Sequence, residues 1–210
     1  MEVDTDSIMA KSPTHRQLVL QLAREDPILT ARTAREAGVP YATLSRMVRD
    51  GELVRVSRGL YELPDVEVSE HHTLAEVALR APRGVICLLS ALAFHELTTE
   101  LPFEVWLAYE RGTRPPAIDT PQVRLFRLSG RSYNHGVQTY DIEGVEVRVY
   151  SPAKTVADCF KFRSTVGLDV AMESLRDYLR HRAGSIDDLW LAAKACRVHE
   201  VIRPYMDALA

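Results

Sequence analysis

YATLSRMVRDGELVRVSRGLYELP, residues 41–64, is the most informative stretch of this chain. Its first nine residues read as a helix. At about 100° per residue, Leu44, Met47, Val48 and Tyr41 fall on one side, suited to a small core, and Ala42, Ser45, Arg46 and Arg49 fall on the other, with Thr43 at the edge of that face. After Asp50-Gly51, the runs 52–56 and 59–63 flank Ser57-Arg58, which reads as two short strands with a basic tip. Two further helical patterns precede this stretch. Residues 15–24 place Leu18, Val19 and Leu22 on one face, and residues 31–37 repeat Ala31, Ala34 and Ala37, before Gly38-Val39-Pro40 breaks the chain. Alanines at that spacing let two helices approach closely, and Gly38 supplies the turn because glycine tolerates positive φ. The order helix, helix, tight turn, helix, hairpin is that of a helix-turn-helix with a wing.

The outward side of the third helix is suited to a major groove. Arg46 and Arg49 can reach guanine edges or phosphates, Ser45 can serve either, Ala42 can meet a thymine methyl, and Thr43 suits a phosphate. Arg55 and Arg58 stand where a wing touches backbone or minor groove. Between Arg16 and Arg58 there are eight arginines against five acids, although the whole chain carries a formal net charge of -3. Phosphate contacts are local, so this distribution matters more than the sum.

With 46% hydrophobic residues, the 210-residue chain can bury one large core or two smaller ones, and disorder over most of its length is excluded. The longest apolar stretch, residues 85–94, is interrupted by Ser90 and falls far short of the roughly 20 residues a bilayer-spanning helix needs. The opening MEVDTDSIMAKSP is acidic and lacks the apolar run of a signal peptide, so a soluble, cytoplasmic protein with no membrane partner is expected. Cys87, Cys159 and Cys196 lack the paired spacing of a zinc site or a disulfide framework and read as buried small hydrophobes.

The segment LPDVEVSE, residues 63–70, reads as a connector. It divides the chain into a winged helix-turn-helix domain, residues 1–66, and a C-terminal domain, residues 67–210. In the latter, residues 69–81 and 90–97 look helical. Strands are expected at 103–109, 123–128, 137–142 and 145–150, the last two joined as a hairpin by Glu143-Gly144, while the proline-rich 112–121 should be a loop. Ser151-Pro152 reads as an N-cap followed by proline at the first helical position, after which the chain turns helical to its end. Leu168, Ala171, Met172, Leu175, Tyr178 and Leu179 mark one helix, and Ser185 with Asp188 gives a capping-box start to another. The expected class is α+β: a winged helix-turn-helix, then a mixed α/β domain with a small, mostly antiparallel sheet and C-terminal helices.

No catalytic residue, metal site or cofactor site emerges, and a non-enzyme is expected. His71-His72 with Glu76 lacks a third ligand and suits polar residues at a helix start. His95, Glu96 and Cys87 sit in or beside an apolar helix. Asp141, Glu143 and Glu146 near Arg148 resemble a nuclease acid cluster, but arginine stands where lysine would be needed. Ser151, Lys154 and Asp158 read as a cap and an intrahelical ion pair; Lys154, Asp158, Lys161 and Arg163 then occupy a polar helix side that could also meet a partner. No glycine-rich phosphate loop occurs.

The run at 41–64 resembles the winged helix-turn-helix opening of the AbiEi-family antitoxins of abortive-infection toxin-antitoxin pairs. The resemblance continues through GVICLLSALAFHEL at 84–97, VRVYSPAKTVADCFKFR at 147–163 and the helix beginning at Gly167, and spans about residues 16–208. It implies a transcriptional repressor that binds operator DNA repeats, autoregulates its operon and counteracts a nucleotidyltransferase-type toxin encoded beside it, chiefly through the C-terminal domain. The DNA role then falls on Ala42, Thr43, Ser45, Arg46, Arg49, Arg55 and Arg58. Some relatives have a strongly basic C-terminal domain, whereas residues 67–210 hold 17 basic and 19 acidic side chains. The alternative reading is a winged-helix regulator whose C-terminal domain senses a small ligand in apolar space around Trp106, Tyr109 and Trp190.

Overall fold

The computed structural model describes residues 13–65 and 68–209, and contacts divide the chain into two compact units, one ending at Val68 and one beginning at Ser69. The acidic opening segment and the expected boundary at residues 66 and 67 lie outside the described residues.

In the first unit, helix α1 (His15–Glu25) starts in a capping box in which the Thr14 hydroxyl accepts from the Gln17 amide and the Gln17 side chain accepts from the Thr14 amide. Strand β1 (Leu29–Thr30) leads into α2 (Ala31–Glu36), capped by the Thr30 hydroxyl. Gly38, at φ +80°, makes the turn into α3 (Tyr41–Arg49). Strands β2 (Val54–Ser57) and β3 (Leu60–Glu62) form the wing. Ser57 pairs with Leu60, so the turn is Arg58-Gly59, one residue later than the spacing suggests. The dipeptide β1 pairs antiparallel with β3 and completes a three-stranded sheet of order β1-β3-β2, a strand too short to leave a periodic signal. Val19, Ala23, Leu29, Ala34, Val39, Leu44, Met47, Leu53 and Tyr61 close one core. Burying a side chain such as Leu44 contributes about 1.5–3 kcal/mol, which is why α3 holds this orientation.

The second unit begins with α4 (His72–Arg80), β4 (Val85–Ile86), α5 (Leu88–Phe94), β5 (Val105–Glu110) and β6 (Val123–Leu128). It continues through α6 (Arg131–Asn134), β7 (Val137–Ile142), β8 (Val145–Tyr150), α7 (Pro152–Lys161), α8 (Arg163–Val166), α9 (Leu168–Arg180), α10 (Ile186–Cys196) and α11 (His199–Leu209). The fold is α+β, but the sheet corrects the expectation of mostly antiparallel pairing. In the order β6-β5-β4-β8-β7, the β6/β5 and β4/β8 pairs are parallel and the β5/β4 and β8/β7 pairs antiparallel. The two-residue β4 at its centre carried no alternation to read. A loop as long as that between β5 and β6 permits either direction, and every β5 residue from Val105 to Tyr109 is buried, as a strand covered on both faces requires.

Local signals were followed closely where they were strong. Ser151 caps α7, whose first residue is Pro152, and the Ser185/Asp188 capping box opens α10. The polar side expected for α7 is a different matter. Residues Ala153 through Phe160 are all buried, including Lys154 and Asp158, because α5, α9, α10 and α11 pack around this helix. Lys154 and Asp158 pair with each other in the core, so neither can belong to a partner surface.

Candidate nucleic-acid interface

Helix α3 packs Leu44 and Met47 inward, at 1% and 2% exposure, and this sets what faces solvent. Ala42, Arg46 and Arg49 are exposed, while Thr43 and Ser45 are half-buried at the margins. Their spacing of three and four residues aligns them along one face. In the wing Arg55 and Arg58 are exposed, and the Arg55 Nε donates to the Ser57 carbonyl at 3.2 Å, which bends that guanidinium along the hairpin. Among the described residues no carboxylate pairs with Arg46, Arg49, Arg55 or Arg58, whereas Arg16 is neutralised by Glu52 and Arg32 by Glu36. Four guanidinium groups on the third helix and wing, none neutralised by a described carboxylate, are suited to phosphate oxygens and base edges.

Tyr41 corrects the sequence reading. The periodicity placed it with Leu44, Met47 and Val48, yet it is 59% exposed. It lies about 60° from Leu44 and 120° from Met47 around the helix, at the rim of the apolar stripe and in the first turn, beyond the edge of the core. Its phenol sits beside the Ser45 hydroxyl and the Tyr61 hydroxyl, in the field of Arg55 and Arg58. These neighbours, in that order, lower its pKa. The Tyr61 hydroxyl, although close enough to Tyr41 to be shifted upward by burial and by that neighbour, completes no hydrogen bond of good geometry. Tyr41 is thus a surface residue at the start of α3 in the field of the wing arginines, a placement that residue periodicity alone does not reveal.

The other candidate clusters resolve into structure. The His95 Nε2 donates to the Tyr150 carbonyl at 2.7 Å, and burial lowers its pKa. Burial raises the pKa of all three thiols, that of Cys196 to about 12, so each is held as a protonated thiol in the core. Glu143 turns to the His72 Nδ1 and the Ser69 amide, each at 2.7 Å, and Glu76 pairs with Arg80. Asp141 accepts from the Gly144 amide at 3.2 Å, and Arg148 donates to the Arg83 carbonyl at 3.1 Å. Among the described residues no three His, Cys, Asp or Glu side chains converge as metal ligands. The aromatic residues expected to frame a ligand are packing residues: Trp106 stacks on Phe126 at 5.0 Å beneath the Arg124 guanidinium, Tyr109 is buried, and Trp190 packs on the same core as Trp106.

A three-helix core closed by a two-stranded wing, with free arginines along the third helix and the hairpin, defines a winged-helix protein. Residues 17–64 match the family described as "Transcriptional regulator, AbiEi antitoxin", which is the resemblance read from the sequence over that segment. Among solved structures, the chain is similar to the RV2827C protein from Mycobacterium tuberculosis, with a TM-score of 0.59 and 13% identity over 94% of this chain and 82% of that one. At that identity the likeness is one of fold. No curated protein matches the chain. No helix among the described residues is long and apolar enough to cross a membrane.

Proposed function

We propose that the chain is a DNA-binding transcriptional repressor of the antitoxin type, acting in the cytoplasm and without catalytic activity of its own. Its winged unit, residues 1–66, binds operator DNA in the promoter of its own operon, with Ala42, Ser45, Arg46 and Arg49 in the major groove, Thr43 on a phosphate, and Arg55 and Arg58 on backbone or minor groove. Its second unit, residues 67–210, counteracts a nucleotidyltransferase-type toxin encoded alongside. Inverted operator repeats would take two copies of the winged unit, one per half-site. The observation that carries the DNA reading is the set of four arginines, Arg46, Arg49, Arg55 and Arg58, which have no carboxylate partner among the described residues, on α3 and the wing of a segment that matches antitoxin regulators. The family match also supports the toxin partner.

The test is fluorescence anisotropy with the chain's own promoter region against random duplex. Arg46→Ala should weaken promoter binding by about 1–3 kcal/mol if Arg46 reads a base edge. Equal weakening on random DNA would assign Arg46 to phosphate instead. Arg58→Ala should reduce the slope of log K against log salt by about 0.9. Absence of promoter binding by the wild-type chain would refute the repressor reading. Rescue of growth from the adjacent toxin by the Arg46→Ala, Arg58→Ala double variant would separate antitoxicity from DNA binding, and failure of the wild-type chain to rescue would remove the antitoxin assignment.

A further inference from the structure

A second cationic feature lies in the unit from Ser69 onward. The segment before and within α6, the last turn of α7 and the C-terminal end of α10 enclose a cavity of about 450 Å³, lined by Ser129, Arg131, Ser132, Lys161, Lys194 and Arg197 together with small residues and Cys196. The lining contains no acid and no aromatic ring. Lys161 Nζ donates to the Ser132 Oγ at 2.8 Å, and Ser132 is 8% exposed, so one cation of the lining is held on a buried hydroxyl. Arg131, Lys194 and Arg197 are exposed at the rim, and among the described residues none of the four cations pairs with a carboxylate.

The ordinary account of such cations is that they complement helix C-termini. Lys161 and Lys194 do occupy the last turns of α7 and α10, and Arg197 caps α10 in the left-handed region at φ +60°. Each helix end supplies only about half a negative charge. Two ends offset about one of four positive charges, and roughly +3 remains around a ligand-sized concavity. Asp158, which accepts from the thiol of the lining residue Cys196, is neutralised by Lys154, so that pair adds nothing to the balance. Four cations facing one space repel each other, a cost that an anion between them would remove.

We propose that this cavity binds the phosphate group of a small phosphorylated molecule. Arginine forks and serine hydroxyls suit phosphate oxygens, and lysine adds point charge. With no ring to stack on a base and no acid to read its edge, the site recognises the phosphate and tolerates what it is attached to. The cations converge on one concavity rather than running along a ridge, which favours a compact anion over a nucleic-acid backbone.

The experiment is isothermal titration of inorganic phosphate, pyrophosphate and AMP into the full chain carrying Arg46→Ala and Arg58→Ala, so that the winged face does not compete. Saturable one-to-one binding is expected. Lys194→Gln, an exposed change that leaves the core intact, and Lys161→Met should each weaken it by about tenfold or more. Arg203→Gln, at an exposed arginine paired with Glu200, should leave it unchanged. Amide shifts on titration should cluster at residues 129–132 and 194–197. No saturable binding of any of the three probes at millimolar concentration would overturn the proposal. So would equal weakening by Arg203→Gln, or loss of DNA binding by Lys194→Gln without any small-probe binding.

Discussion

Lys154→Met is expected to destabilise the chain far more than a substitution at an exposed position of the same unit, such as Arg203→Gln. Lys154 is 0% exposed and Asp158 is 1% exposed one turn later. The lysine ammonium pairs with one carboxylate oxygen of Asp158 and lies 4.0 Å from the Tyr150 ring centre, while the Cys196 thiol donates to the other carboxylate oxygen at 3.1 Å. Methionine keeps most of the length of the side chain and removes the charge. What it leaves behind is a carboxyl group inside a packed core with one weak thiol donor, and breaking one half of a buried pair costs about 3–5 kcal/mol. A domain of this size loses about 2–4 °C of Tm per kcal/mol, so the melting temperature should fall by roughly 6–20 °C. The double variant Lys154→Met, Asp158→Leu should recover most of that loss, because the desolvation of both charges then disappears together with their attraction. Urea unfolding followed by circular dichroism measures both variants. A single-variant loss under about 1 kcal/mol, or a double variant as unstable as the sum of the two singles, would show that the pair is not the buried, coupled unit described here.

Gly136→Ala should cost about 2–5 kcal/mol. Gly136 lies at φ +70°, and an added Cβ would come within 2.7 Å of the Lys154 Cβ and 2.9 Å of the Ser151 Oγ; an unchanged urea midpoint would contradict this. His95 has its pKa lowered from 6.5 by burial, against the raising effect of its bond to the Tyr150 carbonyl. Its neutral form is therefore the one that folding favours, and it contributes stability that is intact above pH 6.5 and lost as pH falls through its folded value. His135, also lowered by burial, acts with the same sign. Urea midpoints at pH 5, 6, 7 and 8 should decline toward acid, and His95→Gln should flatten part of that slope; an identical slope would remove His95 from the account. Tyr41→Phe removes an exposed hydroxyl from between Ser45, Arg55 and Arg58. It should weaken promoter binding by about 0.5–1.5 kcal/mol in anisotropy while shifting stability by less than about 0.5 kcal/mol. A large stability loss with unchanged affinity would return Tyr41 to the core.

What the residues announced by themselves was whatever their immediate neighbours encode. The helix at Tyr41–Arg49, the hairpin of Val137–Ile142 with Val145–Tyr150, the Ser151 and Ser185 caps and the Gly38 turn were all legible, because a cap, a turn or a period of 2.0 or 3.6 is written within a few positions. The α+β class and the basic outer face of α3 follow from those patterns alone. The tertiary structure decided the rest. Whether β5 and β6 run parallel, and whether Val85–Ile86 is a strand, depend on partners tens of residues away. Lys154 and Asp158 carry the same charges on an exposed helix as on a buried one; only four helices closing on α7 put them inside. Tyr41 was misplaced for the complementary reason, since periodicity gives an angle around a helix but not where the surrounding core ends. The cationic cavity draws on residues 129–132, 161, 194 and 197, positions that no local pattern joins. Charge is a property of each side chain, but desolvation and convergence are properties of the packed chain, and they arise only when distant segments meet.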